Sequence, residues 1–138
     1  MDLSEHYQPG MTREETFTVQ GKHTAYHIGS GDSRVLSTPS MISFMEIVAH
    51  RLLSKHLPPE KLSVGIHVDV KHLAATPVQA EITVKARLIE IQGRRAVFEV
   101  NAWDEQEQIG TGTHQRAVVD LERFEDGIAQ KRKAQENG

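Results

Sequence analysis

At 138 residues the chain has room for one domain and not for two. It contains no cysteine, which excludes a disulfide framework, a thiolate zinc site and a cysteine nucleophile together. The formal net charge of -3 lacks the basic footprint of a nucleic-acid binder, so a few local Arg or Lys residues must meet any phosphate-bearing ligand.

The stretch Met1 to Met11 is polar and carries His6, Pro9 and Gly10, so no signal peptide is read there. No apolar run approaches the ~20 residues that cross a bilayer. The expectation is a soluble, cytoplasmic protein with no membrane or nucleic-acid partner.

Thr16 to Gln20 alternates and favours a short strand. Gly21 to Val35 reads as an irregular loop marked by Gly29, Gly31, Asp32 and Ser33. A helix then spans about Pro39 to Lys55, with Thr38 as its N-cap and Pro39 in the first helical position, and it ends before Pro58-Pro59. Apolar residues such as Met41, Phe44, Ile47 and Leu52 cover most of its girth, so other structure should wrap it.

From Ser63 the period changes to two. Val64, Ile66, Val68, Val70 and His72 share one face of a strand, while Gly65, His67, Asp69 and Lys71 take the other. A second strand carries Ile82, Val84, Ala86 and Leu88. Gln92-Gly93-Arg94-Arg95 reads as a hairpin turn into a strand with Ala96, Phe98, Val100 and Ala102 on one face. A last strand, Ile109 to Asp120, contains Gly110 and Gly112, which suit a bend or a close backbone approach. One long helix followed by an antiparallel meander is an α+β layout, in which a single sheet curls round the helix. Residues 1–120 form the domain; 121–138 is a charged tail, a short helix or disordered.

Three side chains invite a chemical reading. Glu46 is the only acid between Pro39 and Lys55, and a carboxylate shielded by Met45 and Ile47 suits a base or nucleophile. Ser40, Ser43, Glu46, His50 and Ser54 also recur at helical spacing, so a solvent-facing stripe is the competing reading. His72 extends an apolar strand face and needs a partner, either a core carbonyl or a reacting group. Thr38 is a plain cap or a hydroxyl at the positive end of a helix, where an oxyanion would be stabilised. Gly65 bares one strand face to a substrate or to close packing. Glu46 and His50 lack a third ligand, and no metal site is read.

These residues, in this order, resemble the fluoroacetyl-CoA thioesterase family of hotdog-fold proteins. The matching blocks are Val35-Leu-Ser-Thr-Pro39, Glu46 eight residues after Thr38, Val64-Gly-Ile-His-Val-Asp-Val-Lys-His-Leu-Ala-Ala-Thr76, Gly93-Arg94-Arg95 and Gly110-Thr-Gly-Thr-His-Gln-Arg116. The resemblance implies a hotdog fold, in which a curled antiparallel sheet wraps one long helix. It implies hydrolysis of a small acyl-CoA thioester to a carboxylate and CoA, with Thr38, Glu46 and His72 as the catalytic set. It further implies that the Gly65 backbone lines the acyl site, that Arg116 contacts the substrate side, and that homodimers carry their sites at the interface. No cofactor is implied, since CoA is part of the substrate.

Two alternatives share this fold: a dehydratase or hydratase acting on acyl thioesters, and a non-catalytic acyl-CoA-binding module. Helix geometry separates the Thr38 and Glu46 α-carbons by about 12 Å, so either His72 mediates between them or the set draws on both subunits. The stretch from His27 to Val35 departs from the fluoroacetyl-specific pattern, because its only ring is imidazole. Hydrolysis can be retained there without the fluorinated substrate.

Overall fold

The computed structural model describes residues 2–137. Its five strands are β1 (Thr12–Thr18), β2 (Lys61–His72), β3 (Glu81–Gln92), β4 (Arg95–Trp103) and β5 (Gln108–Asp120). A short helix α1 (Ala25–Ile28) precedes the long helix α2 (Thr38–Ser54), and α3 (Leu121–Asn137) follows the last strand. The strands form one antiparallel sheet in the order β1-β3-β4-β5-β2, curled against α2 in the hotdog layout.

The β3–β4 hairpin turns at Gly93. Gly93 has φ of 59°, the left-handed conformation that a two-residue turn needs, and Gln92 pairs with Arg95 across it. An extra residue, Ile89, then shifts the register by one and sets Leu88 opposite Phe98, Ala86 opposite Val100 and Val84 opposite Ala102, all with no solvent exposure. Truncating the central Phe98 to Ala would cost roughly 3–5 kcal/mol. The helix meets this surface with Met41, Phe44, Met45, Val48, Ala49, Leu52 and Leu53. Its burial is one-sided: Ser43, His50 and Ser54 are exposed, so within one chain the sheet does not enclose the helix.

Chain order alone would set β2 beside β3. Instead β1 takes that place, and β2 lies at the far edge against β5. The linker 73–80 between β2 and β3 is too long for a tight turn, contains Pro77, and crosses the end of the helix. Thr76 anchors it there: its carbonyl accepts from the Leu36 N–H at 2.9 Å, and its hydroxyl donates to Asp104 at 3.1 Å.

The face expected on β2 is also revised. Gly65 pairs with Arg116 and His67 with Gln115, so Ile66 is an extra, unpaired residue, a β-bulge. One extra residue reverses the alternation. Ser63 and Gly65 before the bulge therefore share the inner face with Val68, Val70 and His72 after it. Gly65 and His72 stand on one side of the sheet, not on opposite sides. Ile66 and Val68, read as buried, are 46% and 37% exposed on this edge strand.

Among the described residues no helix is long and apolar enough to cross a membrane. The 17-residue α3 continues directly from β5 and buries none of its side chains.

Candidate active site

The helix start settles what Thr38 is free to do. Ser37, not Thr38, is the N-cap: its Oγ accepts from the Ser40 N–H at 3.1 Å. The extended backbone of Ser37 suits a cap, and Thr38 with Pro39 occupies the first helical turn. Because the cap bond falls to Ser37, the Thr38 hydroxyl is released. It stands 2.7 Å from Nδ1 of His72.

His72 ends β2 opposite Gly110, which has no side chain to compete for the space. A Cβ at Gly110 would come within 2.6 Å of the Met41 sulfur, so the glycine lets α2 approach β5 closely at this end. Burial pushes the His72 imidazole below the ordinary histidine range, and the Ala74 backbone opposes that shift. Among the described residues its buried Nε2 closes no well-aligned hydrogen bond, although the Ala74 backbone lies near the ring. The pair borders a cleft of about 440 Å³ lined by Ala25, Val35, Leu36, Ala74 and Ala75, among others, with no phenyl, phenol or indole ring.

A second group of polar residues lies along the inner face of β2 and β5. Arg116 is only 6% exposed. Its Nε donates to the Ser63 hydroxyl at 2.9 Å, its Nη2 to the Ser63 carbonyl at 3.2 Å, and its Nη1 faces Nε2 of His114 at 3.2 Å. Gly65 opens a depression over this network. A Cβ there would sit 3.3 Å from His114 Cε1, 3.4 Å from Arg116 Nη1 and 3.5 Å from Glu46 Oε2. Glu46 is half-buried, unlike its exposed stripe neighbours Ser43 and His50, and its charge acts on both His114 and Arg116. Burial draws Arg116 below its ordinary value while Glu46 opposes; the guanidinium remains a cation.

The predicted residues thus fall into two groups within one chain. Thr38 meets His72 at the helix start. Glu46 lies beside Gly65 two turns further on, near Arg116 but not in ion-pair contact with it. No hydrogen bond joins Glu46 to Thr38 or His72, in keeping with about 12 Å of helix between the α-carbons. Among the described residues no three His, Asp or Glu side chains are arranged to hold a metal ion. Sequence reasoning missed His114 and Ser63. The signal for His114 was its phase: it alternates with Gly110, Gly112, Arg116 and Val118, so it shares the inner face of β5.

The sequence pattern of the fluoroacetyl-CoA-specific thioesterases matches residues 19–122, from the end of β1 into α3. The fluoroacetyl-CoA thioesterase of Streptantibioticus cattleyicolor is 40% identical over 97 residues, 70% of each chain. A point variant of the fluoroacetyl-CoA-specific thioesterase FlK, solved with fluoroacetate and CoA, superposes with a TM-score of 0.82 at 34% identity, covering 86% of this chain and 99% of the other. A hot-dog-like protein from Thermanaerovibrio acidaminovorans superposes at 0.88 with 25% identity, covering 95% and 97%. The chain belongs to the fluoroacetyl-CoA-specific thioesterase family.

Proposed function

We propose that this acyl-CoA thioesterase acts on small acyl groups as a homodimer, with Thr38 and His72 of one subunit facing Glu46 of the other. The observation that carries the reading is the state of His72. One ring nitrogen is held by Thr38, and the other is buried beside a cleft and, among the described residues, closes no well-aligned hydrogen bond. A buried imidazole nitrogen left open is costly unless something else completes it. Among the described residues none hydrogen-bonds to the half-buried Glu46 carboxylate. The open edge of β2, with Ile66 and Val68 partly exposed, supplies the surface through which a second copy would bring the two groups together.

In this scheme water adds directly to the thioester carbonyl, or the Glu46 carboxylate adds first and expels the CoA thiolate to leave a mixed anhydride, which water then cleaves. The carbon–sulfur bond breaks, the acyl group leaves as a carboxylate, and the CoA sulfur takes up a proton. Two tautomers of His72 satisfy the Thr38 bond. With Nδ1–H donating to the hydroxyl, Nε2 is a base; with the hydroxyl donating to Nδ1, Nε2–H can deliver a proton. Depressed basicity keeps the ring neutral near pH 7 and able to do either.

A panel of acyl-CoAs assayed with a thiol-reactive dye tests the reading, with Glu46→Gln beside the wild type. Thiol release that falls by ~10²–10⁴-fold in the variant supports it. Undiminished release in Glu46→Gln overturns the assigned chemistry. Double-bond absorbance changes without free thiol would identify a hydratase, and saturable CoA binding without turnover a binding module.

A further inference from the structure

We infer that His114 is a positioning residue for the acyl site: it clamps the β2 bulge that turns Gly65 inward and fixes the Arg116 guanidinium beside Glu46. This rests on the reading that Gly65, Arg116 and Glu46 border the acyl group.

The ring's hydrogen-bond partners define its chemical state. Nδ1 lies 2.9 Å from the His67 carbonyl oxygen, which can only accept, so Nδ1 carries the proton. Nε2 lies 3.2 Å from Arg116 Nη1, and a guanidinium can only donate, so Nε2 is bare. Only the neutral Nδ1–H tautomer satisfies both neighbours. A protonated ring would turn an N–H toward a cation. Three charged or titratable groups bear on the ring: Arg116 beside it on β5, Glu46 on α2 and His67 on β2. The ring is 1% exposed and stacks at 27° on the Phe98 ring below it, so it has little freedom to turn.

His67 directly follows the unpaired Ile66. Its carbonyl is therefore the acceptor that the register shift displaces, and the imidazole reaches across from β5 to take it. Without that bond the bulge can relax toward regular pairing, which would carry Gly65 to the outer face. Through Nε2 the same ring sets the angle of Arg116, whose other nitrogens are held by Ser63. A single side chain thus ties together the backbone and the cation of the Gly65 depression.

The native protein and two variants test this. A long-range ¹H–¹⁵N spectrum of the imidazoles should show His114 protonated at Nδ1 and bare at Nε2. His114→Asn keeps a donor near Nδ1 but loses the Nε2 acceptor, and should lower kcat about tenfold. His114→Leu loses both and should lower kcat about a hundredfold, the scale of a misplacement near 1 Å. Both should shift KM less than kcat, and His114→Asn should recover part of the His114→Leu loss. A folded His114→Leu protein with wild-type kcat and KM overturns the inference, as does an Nε2-protonated tautomer. Should His114→Leu not fold, wild-type kinetics in His114→Asn overturn it equally. If the wild type releases no thiol from any acyl-CoA, the hydrolase reading fails instead, and the tautomer still decides the clamp.

Discussion

Thr38 Oγ1 and His72 Nδ1 stand 2.7 Å apart although 34 residues separate them in the chain. The contact exists because α2 begins at the same end of the sheet where β2 finishes. Replacing Thr38 with Ala removes the group that holds the imidazole, and kcat for thiol release should fall roughly 10–100-fold. Thr38→Ser keeps the hydroxyl and should stay within about threefold of wild type, on the same reasoning. Equal kinetics for Ala and wild type would remove Thr38 from the site.

The same helix start predicts a division between stability and activity. Ser37 provides the cap bond, so Ser37→Ala should cost ~1 kcal/mol in a denaturant titration. Thr38→Ala should remain within about 0.5 kcal/mol of wild type, since its hydroxyl supports no backbone N–H and, at this exposed helix start, water can take its place at His72 Nδ1. The opposite ranking would return Thr38 to the role of cap.

How far the sequence reveals this architecture differs from element to element. β3 and β4 are legible as a hairpin because Ile82, Val84, Ala86 and Leu88, then Ala96, Phe98, Val100 and Ala102, alternate and Gly93 marks the turn; their register is not, because the extra residue Ile89 shifts it by one. α2 is legible for its length and its Pro39 start. The choice of cap is not, because Ser37 and Thr38 are both good caps and only the backbone angles decide between them. The bulge at Ile66 leaves no compositional mark. Val64-Gly-Ile-His-Val reads as uninterrupted alternation, and the extra residue emerges only when β2 is set against β5. His114 is hidden for a similar reason. Its burial depends on which face of β5 is inward, and the two neighbouring glycines blur the apolar signal of that face.

Acid should weaken the protein as well as its activity. His23, His50, His72 and His114 are all held below the ordinary histidine value of 6.5, burial being the largest cause in each. The unfolded chain therefore takes up protons first as pH falls, drawing the equilibrium toward itself. Stability should be full above about pH 6.5 and decline as pH drops from there through the folded values. Chemical-denaturation midpoints between pH 8 and 5 read this directly. The acid limb of kcat/KM, where His72 must be neutral to accept a proton, should lie below 6.5. A limb above that value would mean that a carboxylate, as Glu46 of a second copy would supply, outweighs burial at His72.

Two glycines on the inner face should respond oppositely to alanine. At Gly112 a Cβ would stand 2.1 Å from the Asp69 carbonyl oxygen, a rigid backbone atom, so Gly112→Ala must separate β2 from β5. The cost should reach about 1–3 kcal/mol or more, seen as a lower melting temperature. At Gly65 the nearest atoms lie at 3.3 to 3.5 Å and belong to side chains, so the fold should tolerate a methyl group. That methyl would occupy the depression over Arg116 and Glu46, and kcat/KM should fall tenfold or more, about the scale expected when an oriented carbonyl is displaced. Wild-type kinetics in a folded Gly65→Ala protein would place the acyl group elsewhere.

The lining of the Thr38–His72 cleft bears on which acyl group is preferred. Selecting a fluoromethyl over a methyl group requires packing or dipolar contact tight enough to sense a single atom. Even a whole methylene in an apolar pocket is worth only ~1–3 kcal/mol. Here, apart from His72, the lining residues are small or aliphatic, and Leu73 at the margin is 51% exposed, so no lining residue of this chain closes a phenyl ring over the substrate. Fluoroacetyl-CoA and acetyl-CoA should therefore differ by less than about tenfold in kcat/KM, and propionyl-CoA should be accepted comparably. Competition assays with paired substrates measure that ratio free of errors in enzyme concentration. A preference for fluoroacetyl-CoA of a thousandfold would mean that some other segment, from this chain or a second copy, encloses the acyl group during turnover.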